Sequence, residues 1–277
     1  MGLSENRKNE LEKLCGRFRR ELIEMLYGVQ TGHPGGSLSA TEIITTLYQE
    51  KMRIEDPEDP NRDRFVLSKG HAAPMLYLNL AEKGFIPKEA LKTLRQSGSI
   101  LQGHPCAHKT KGVDVSTGPL GLGLSVGLGM ALSARLQKRD CTTYVLLGDG
   151  EIQEGGVWEA AMSAAKFKPG NLIAILDHNG VQLDGTNEEI MPMGDIGAKF
   201  RSFGWKTLTC NGHSVQEISD AIDEAKMCKD APVIIIAETV KGKGVSFMEG
   251  KNTWHGAPID KEHYVQAMKE LGGDFSA

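Results

Sequence analysis

The sequence predicts an α/β fold: a doubly wound, mostly parallel sheet with helices on both faces. Three observations carry this. Apolar runs of strand length recur at Phe65 to Leu67, Tyr144 to Leu147, Leu172 to Leu176, Trp205 to Cys210 and Val233 to Glu238. Stretches of helical period separate them, the alternation expected of a parallel sheet covered on both sides. Gly148-Asp149-Gly150 turns sharply off one buried run, and Asn179-Gly180 follows another. A chain of 277 residues can bury a sizeable core. Neither a repeat nor a linker divides it, so one domain over 1–277 with short extensions is expected.

In order, Arg7 to Tyr27 places Leu11, Leu14, Phe18, Leu22, Met25 and Leu26 on one helical face. Thr31 to Ser37 is Gly-rich and reads as a turn, and Ala40 to Glu50 as a second helix. Asp56 to Arg64 is a polar loop before the first strand. Ala73 to Glu82 is helical, and Lys88 to Gln96 a small surface helix. Ser97 to Pro119 has much Gly, Pro and His and little periodicity; so long a loop is usually functional. Helices are expected over Gly121 to Gln137, Gly155 to Phe167, Asp195 to Phe203 and Val215 to Met227.

Composition excludes several classes. Hydrophobic residues at 40% and charged residues at 25% are ordinary for a globular chain. The net charge of −4 makes no electrostatic case for nucleic acid. Met1 to Glu12 is too polar for a secretory signal, and Asn6 stands where a myristoylation motif requires Ser or Thr. Pro119 to Ala134 is short and Gly-rich for a membrane span. Five scattered cysteines without a Cys-x-x-Cys pair point to a reduced, cytoplasmic compartment.

The chemistry-bearing residues fall at strand ends and in loops. If the runs before Asp149 and Asn179 are neighbouring parallel strands, the two residues emerge together at the carboxyl edge, where open α/β sheets bind ligands. Twenty-eight residues, one helix-sized insert, separate Gly150 from Asn179. One carboxylate, one amide oxygen and one backbone carbonyl suit Mg²⁺, which takes few carboxylates and completes its octahedron with water and phosphate oxygens. Histidines sit in Gly- or Pro-containing loops at His33, His71, His104 and His255, as if aimed into a pocket. Imidazole is the usual proton carrier near neutral pH. A zinc site would need closer ligand spacing. Gly121-x-Gly123-x-x-x-Gly127 departs from the dinucleotide fingerprint. Glu151, Glu154 and Glu159 suit the first turns of a helix by dipole complementarity. Lys241 and Lys243, beyond the last strand, could meet a phosphate.

A Gly-Asp-Gly followed by Asn at this distance resembles the thiamine diphosphate signature. The likeness extends from about Leu14 to Ile259. It covers Thr31-Gly32-His33-Pro34-Gly35, Leu67-Ser68-Lys69-Gly70-His71-Ala72, Gly103-His104-Pro105 and Ser116-Thr117-Gly118-Pro119-Leu120-Gly121. It continues through Gly148-Asp149-Gly150-Glu151-Ile152-Gln153-Glu154-Gly155, Asp177-His178-Asn179 and His255-Gly256-Ala257-Pro258. The whole resembles the amino-terminal, diphosphate-binding domain of transketolase.

That resemblance implies metal ligands at Asp149, Asn179 and the carbonyl of Val181. The metal would be Mg²⁺, with Ca²⁺ or Mn²⁺ as substitutes. It implies an active-site channel lined by His33, His71, His104 and His255, with His71 and His255 also near the diphosphate. Gly118 and Leu120 would contact the cofactor rings, Gly148 and Gly150, flanking the metal aspartate, would also bind the cofactor, and Lys243 is a candidate for diphosphate or substrate contact. Glu154 and Glu159 match interface glutamates that share protons. Transketolases are usually at least twice this long, so the resemblance implies a split enzyme. Its partner would carry the pyrimidine-binding and carboxyl-terminal domains, in an α2β2 assembly acting on sugar phosphates. Cys106 departs from the family pattern beside His104. A deoxyxylulose-phosphate synthase relative, a transketolase for an unusual sugar and a non-catalytic cofactor-binding relative are the alternatives.

Overall fold

The computed structural model describes residues 2–273; residues 1 and 274–277 of the expected domain lie outside them. Five strands form one parallel sheet: β1 (Arg64–Leu67), β2 (Thr143–Gly148), β3 (Leu172–His178), β4 (Lys206–Asn211) and β5 (Val233–Glu238). Their spatial order is β1-β2-β3-β5-β4. Each expected strand is present, and β2 and β3 are hydrogen-bonded neighbours with Gly148 opposite Asp177.

Alternation along each strand divides the core in two. Tyr144, Leu146, Ile173, Ile175, Val233 and Ile235 face one side, beneath α1 (Glu5–Val29), α3 (Thr41–Thr46), α4 (Ala73–Glu82) and α9 (Val215–Met227). Val145, Leu147, Ala174, Leu176, Ile234 and Ile236 face the other. There α5 (Gly123–Leu136), α6 (Gly155–Phe167) and α8 (Ile196–Phe203) cover them. Each fully buried aliphatic side chain contributes roughly 1.5–3 kcal/mol, so both layers are firmly held. Gly127 lets α5 lie directly on the sheet, since a Cβ there would collide with Val145 Cγ2.

Three elements depart from expectation. Residues Pro34–Ser39, read as a turn, form a helix, α2. Pro34 at its first turn has φ suited to helix initiation. Its two glycines are tolerated because neighbours need the space. A Cβ on Gly35 would stand 3.0 Å from Lys241 Cγ, and one on Gly36 3.1 Å from His71 Nε2. The helix expected over Ala40 to Glu50 begins as α3 and ends in a π-helical turn over Leu47–Lys51. The surface helix after Pro87 is a 3₁₀ segment, Lys88–Thr93. Two further helices, α7 (Asn187–Ile190) and α10 (Lys261–Glu270), have capping side chains at Thr186 and Asp260. Tyr264 of α10 stacks on Tyr27 of α1 at 4.1 Å. Among the described residues no helix is long and apolar enough to cross a membrane.

Candidate active site

The strands stop at a common edge, and the segments leaving β1, β2, β3 and β5 form the walls of a cleft of about 310 Å³. Asp149 follows Gly148 directly and is buried. Among the described residues its carboxylate accepts only backbone N–H groups, from Gly150 at 2.8 Å and from Gly180. Burial, and then the nearby Asp177 charge, push its pKa up against those two hydrogen bonds. A buried carboxylate that forms no ion pair among the described residues is a suitable ligand for a metal ion. Asn179 Oδ1 accepts the Val181 N–H at 3.2 Å, and the carbonyls of Val181 and Gln182 face Lys241. Carboxylate, amide and carbonyl oxygens therefore meet at one cleft, each retaining an unused lone pair. This hard-oxygen donor set fits Mg²⁺, or Ca²⁺ with more ligands.

The four loop histidines converge. Ring centroids are 4.9 Å apart for His71 and His255, 5.4 Å for His33 and His71, 5.5 Å for His33 and His255, and 6.1 Å for His33 and His104. Burial, with Arg95, His104 and Lys241 behind it, lowers His33 to about 4. Burial and then Lys241 lower His255 to about 3. His71 is held well below its usual value by burial and then Lys69, and His104 is lowered by burial and then Arg95. The rings are neutral at neutral pH. Arg95 donates to His33 Nδ1 at 3.2 Å, and Lys241 Nζ lies 2.9 Å from His255 Nδ1. Since both partners are cationic donors, each ring carries its proton on Nε2.

His71, Leu120, Gly148, Asp149, Gly150, Glu154, Asn179, Val181 and His255 line the cleft. Gly118 has φ of 151° and packs on His104, where a Cβ would lie 3.5 Å from Cγ. Glu159 is exposed on α6 and is not among the cleft-lining residues. Lys243 corrects an expectation. Its ammonium pairs with Glu249 at 3.3 Å, whereas Lys241, two residues earlier, is buried in the cleft wall. Adjacent turns direct them differently: Gly242 has φ of +77°, and a Cβ there would collide with the Met248 carbonyl. Burial and then Lys69 lower Lys241 to about 8, with Asp149 and Asp177 opposing.

Sequence reasoning missed a second buried cation. Lys69 pairs with Asp177 at the centre of the sheet edge, both essentially inaccessible. Lys69 also donates to Gly36 O at 3.0 Å. Asp177 accepts from Ser39 Oγ at 2.6 Å and from Thr239 Oγ1. Burial alone would raise the Asp177 pKa, but the Lys69 charge and these hydrogen bonds hold it below the usual carboxylate value. The available signal was position: Lys69 and Asp177 both stand at strand ends. Glu151 is likewise buried, accepting from Gly121 N and Gly148 N at 3.0 Å each and from Ser68. It ties the loop before α5 to the end of β2.

Fold and cleft together define a parallel α/β domain with a candidate cofactor site at the carboxyl edge of its sheet. Residues 14–276 match the family described as transketolase, thiamine diphosphate binding domain. The chain belongs to the transketolase family. It is 43% identical over 263 residues to an apulose-4-phosphate transketolase subunit of Phocaeicola vulgatus, covering 94% of this chain and 93% of that one. It is 41% identical over 264 residues to the 6-deoxy-6-sulfo-D-fructose transketolase subunit SqwG of a Clostridium species, covering 95% and 96%. Against human transketolase it is 40% identical over 264 residues, covering 94% of this chain but 42% of the relative. The crystal structure of transketolase from Campylobacter jejuni superposes with a TM-score of 0.90 at 33% identity, over 95% of this chain and 43% of that one. The chain thus spans about two fifths of the length of the solved structure.

Proposed function

We propose that this chain is the diphosphate-anchoring subunit of a two-subunit transketolase that moves a two-carbon ketol unit from a ketose phosphate to an aldose phosphate. The observation that carries the proposal is one cleft bordered by Asp149, Asn179 and Val181 oxygens and by neutral imidazoles. The near-complete match to two relatives named as subunits supports a separate partner. That partner would carry the pyrimidine-binding and carboxyl-terminal domains, in an α2β2 assembly within the cytoplasm. The chain itself would form a single domain.

When bound, thiamine diphosphate supplies a nucleophilic thiazolium carbon. Asp149, Asn179 and the Val181 carbonyl would hold Mg²⁺, and through it the diphosphate. Lys241 and His255 would meet the phosphate oxygens as hydrogen-bond donors. Gly118 and Leu120 would border the cofactor rings. His33, His71, His104 and His255, each with its proton available at a ring nitrogen, would donate to substrate oxygens and accept protons from them. Such groups typically contribute ~10²–10⁴-fold each. Glu154, at the cleft edge, and Glu159, on the adjoining helix face, would meet a second subunit.

The relatives' names favour an uncommon ketose over a single fixed substrate, since one names apulose 4-phosphate and another a sulfosugar. Purified chain and a co-expressed partner, assayed singly and mixed for ketol transfer from several ketose phosphates, test both points. Activity is expected only in the mixture. Full turnover by the chain alone would overturn the two-subunit reading.

A further inference from the structure

Behind the cleft wall lies a buried polar chain that touches neither metal ligands nor histidine rings of the site. His213, in the turn between β4 and α9, accepts the Val240 N–H at Nε2 over 2.8 Å. Its ring proton must therefore be on Nδ1, which lies 3.0 Å from Glu42 Oε2 on α3. Glu42 also receives both terminal nitrogens of Arg19 from α1, at 2.5 and 2.8 Å. Arg19 Nε, on the inner edge of the same fork, donates to the Lys243 carbonyl at 3.0 Å. The three side chains thus grip the segment leaving β5 at two points, the N–H of residue 240 and the C=O of residue 243. Lys241 is the residue between them whose ammonium reaches into the cleft.

We propose that Arg19, Glu42 and His213 are positioning residues for Lys241, holding the backbone on either side of it so that its ammonium stands between the Val181 carbonyl and His255. A lysine carries much rotamer freedom, and its burial is retained only if the backbone below it is fixed. The neighbouring bonds act within the same segment: Gly242 N–H donates to Gly35 O at 3.0 Å, and Gly250 N–H to Lys241 O at 2.9 Å. The relay supplies the long-range anchors from α1, α3 and the β4–α9 turn. Its consequence for cofactor binding rests on the function proposed above; its consequence for Lys241 does not.

Two variants separate positioning from simple charge compensation. In H213N the amide nitrogen occupies the Nδ1 position and still donates to Glu42, but nothing reaches Val240. In H213Q the amide oxygen occupies the Nε2 position and still accepts from Val240, while Glu42 keeps only Arg19. Hydrogen exchange at the Val240 amide and acetic anhydride labelling of Lys241, read by peptide mass spectrometry on the chain without cofactor, follow the relay directly. H213N is expected to raise both rates about tenfold, the value of one net hydrogen bond, and H213Q to keep wild-type rates. Arg19→Lys, which keeps a charge against Glu42 but loses the Nε–H donor, is expected to raise Lys241 labelling as well. Equal behaviour of H213N and H213Q would overturn the proposal, as would faster Val240 exchange with unchanged Lys241 labelling in folded protein. Thiamine diphosphate affinity in the presence of Mg²⁺ should fall about tenfold in H213N. Failure of the wild-type chain and its assembled complex to bind the cofactor would refute the cofactor reading while exchange and labelling still decide the relay.

Discussion

The Lys241 ammonium stands 2.9 Å from the backbone carbonyl oxygen of Val181, joining the segment after β5 to the segment after β3 across the floor of the cleft. The same nitrogen is 2.9 Å from His255 Nδ1. A cation so placed borders the oxygens of Asp149, Asn179 and Val181 without pairing with the carboxylate. It leaves Asp149 free for a metal and offers a donor to any anion that metal brings. Burial and Lys69 weaken its charged form, whereas Asp149 and Asp177 support it. A bound diphosphate would add to that support.

Lys241→Met is expected to weaken diphosphate binding, and Lys243→Met to leave it nearly unchanged. A charge-assisted hydrogen bond is worth about 1.5–3 kcal/mol, so the first variant should lose roughly ten- to a hundredfold in thiamine diphosphate affinity. Calorimetric titration of the assembled enzyme with cofactor and Mg²⁺ measures it. Equal losses in the two variants would remove the distinction between a cleft lysine and a surface lysine paired with Glu249.

Asp149→Asn keeps the shape of the side chain and removes its charge. Cofactor retention should become nearly independent of Mg²⁺ and fall by at least tenfold, as expected for loss of an ionised metal ligand. Dialysis against chelator, followed by measurement of retained thiamine diphosphate, tests this. Wild-type dependence on Mg²⁺ in the variant would take Asp149 out of the metal site.

The buried pair of Lys69 and Asp177 should show strong coupling. Removing one partner leaves an uncompensated charge, so Lys69→Met and Asp177→Asn should each destabilise, with Lys69→Met costing about 3–5 kcal/mol. The double variant should cost less than the sum of the two. Urea denaturation of the four proteins completes the cycle. Additive losses would mean that Ser39, Thr239 and Gly36 satisfy the pair members independently.

Stability should fall as pH drops from about 6.5 toward 4. His33 and His255 have folded pKa values of about 4 and 3, below their ordinary 6.5. In that window the unfolded chain binds more protons than the folded one, so stability rises with pH. Urea midpoints at pH 7 and pH 5, compared with those of the double variant His33→Asn, His255→Asn, isolate the contribution. A pH dependence equal to that of the wild type in the double variant would assign the effect elsewhere.

Local sequence was enough for much of this. Helices α4, α6 and α9 have the bounds expected from the sequence; α6 and α9 each bury one face, whereas α4 is buried nearly all round. Helix α2 was hidden because its glycines oppose helix formation on propensity alone. The contacts that need those glycines come from His71 and Lys241, far away in the chain. The convergence of His33, His71, His104 and His255 was legible in outline from their loop settings. Their neutrality was not, since it follows from burial and from the charges of Lys69, Lys241 and Arg95.

By itself the sequence determined the parallel α/β architecture and the placing of Asp149 and Asn179 at one sheet edge. Strand length, apolar continuity and turn residues are short-range properties, and the side of a strand on which its last residue emerges follows from them. Only the tertiary structure decided which charges are solvated and which are buried. Lys241 and Lys243 have the same local setting in Lys-Gly-Lys-Gly, yet one lines the cleft and the other pairs with Glu249. The Lys69 and Asp177 pair and the Arg19, Glu42 and His213 relay are equally silent in the sequence. The energy of a charge depends on what surrounds it in three dimensions, and those neighbours come from distant parts of the chain.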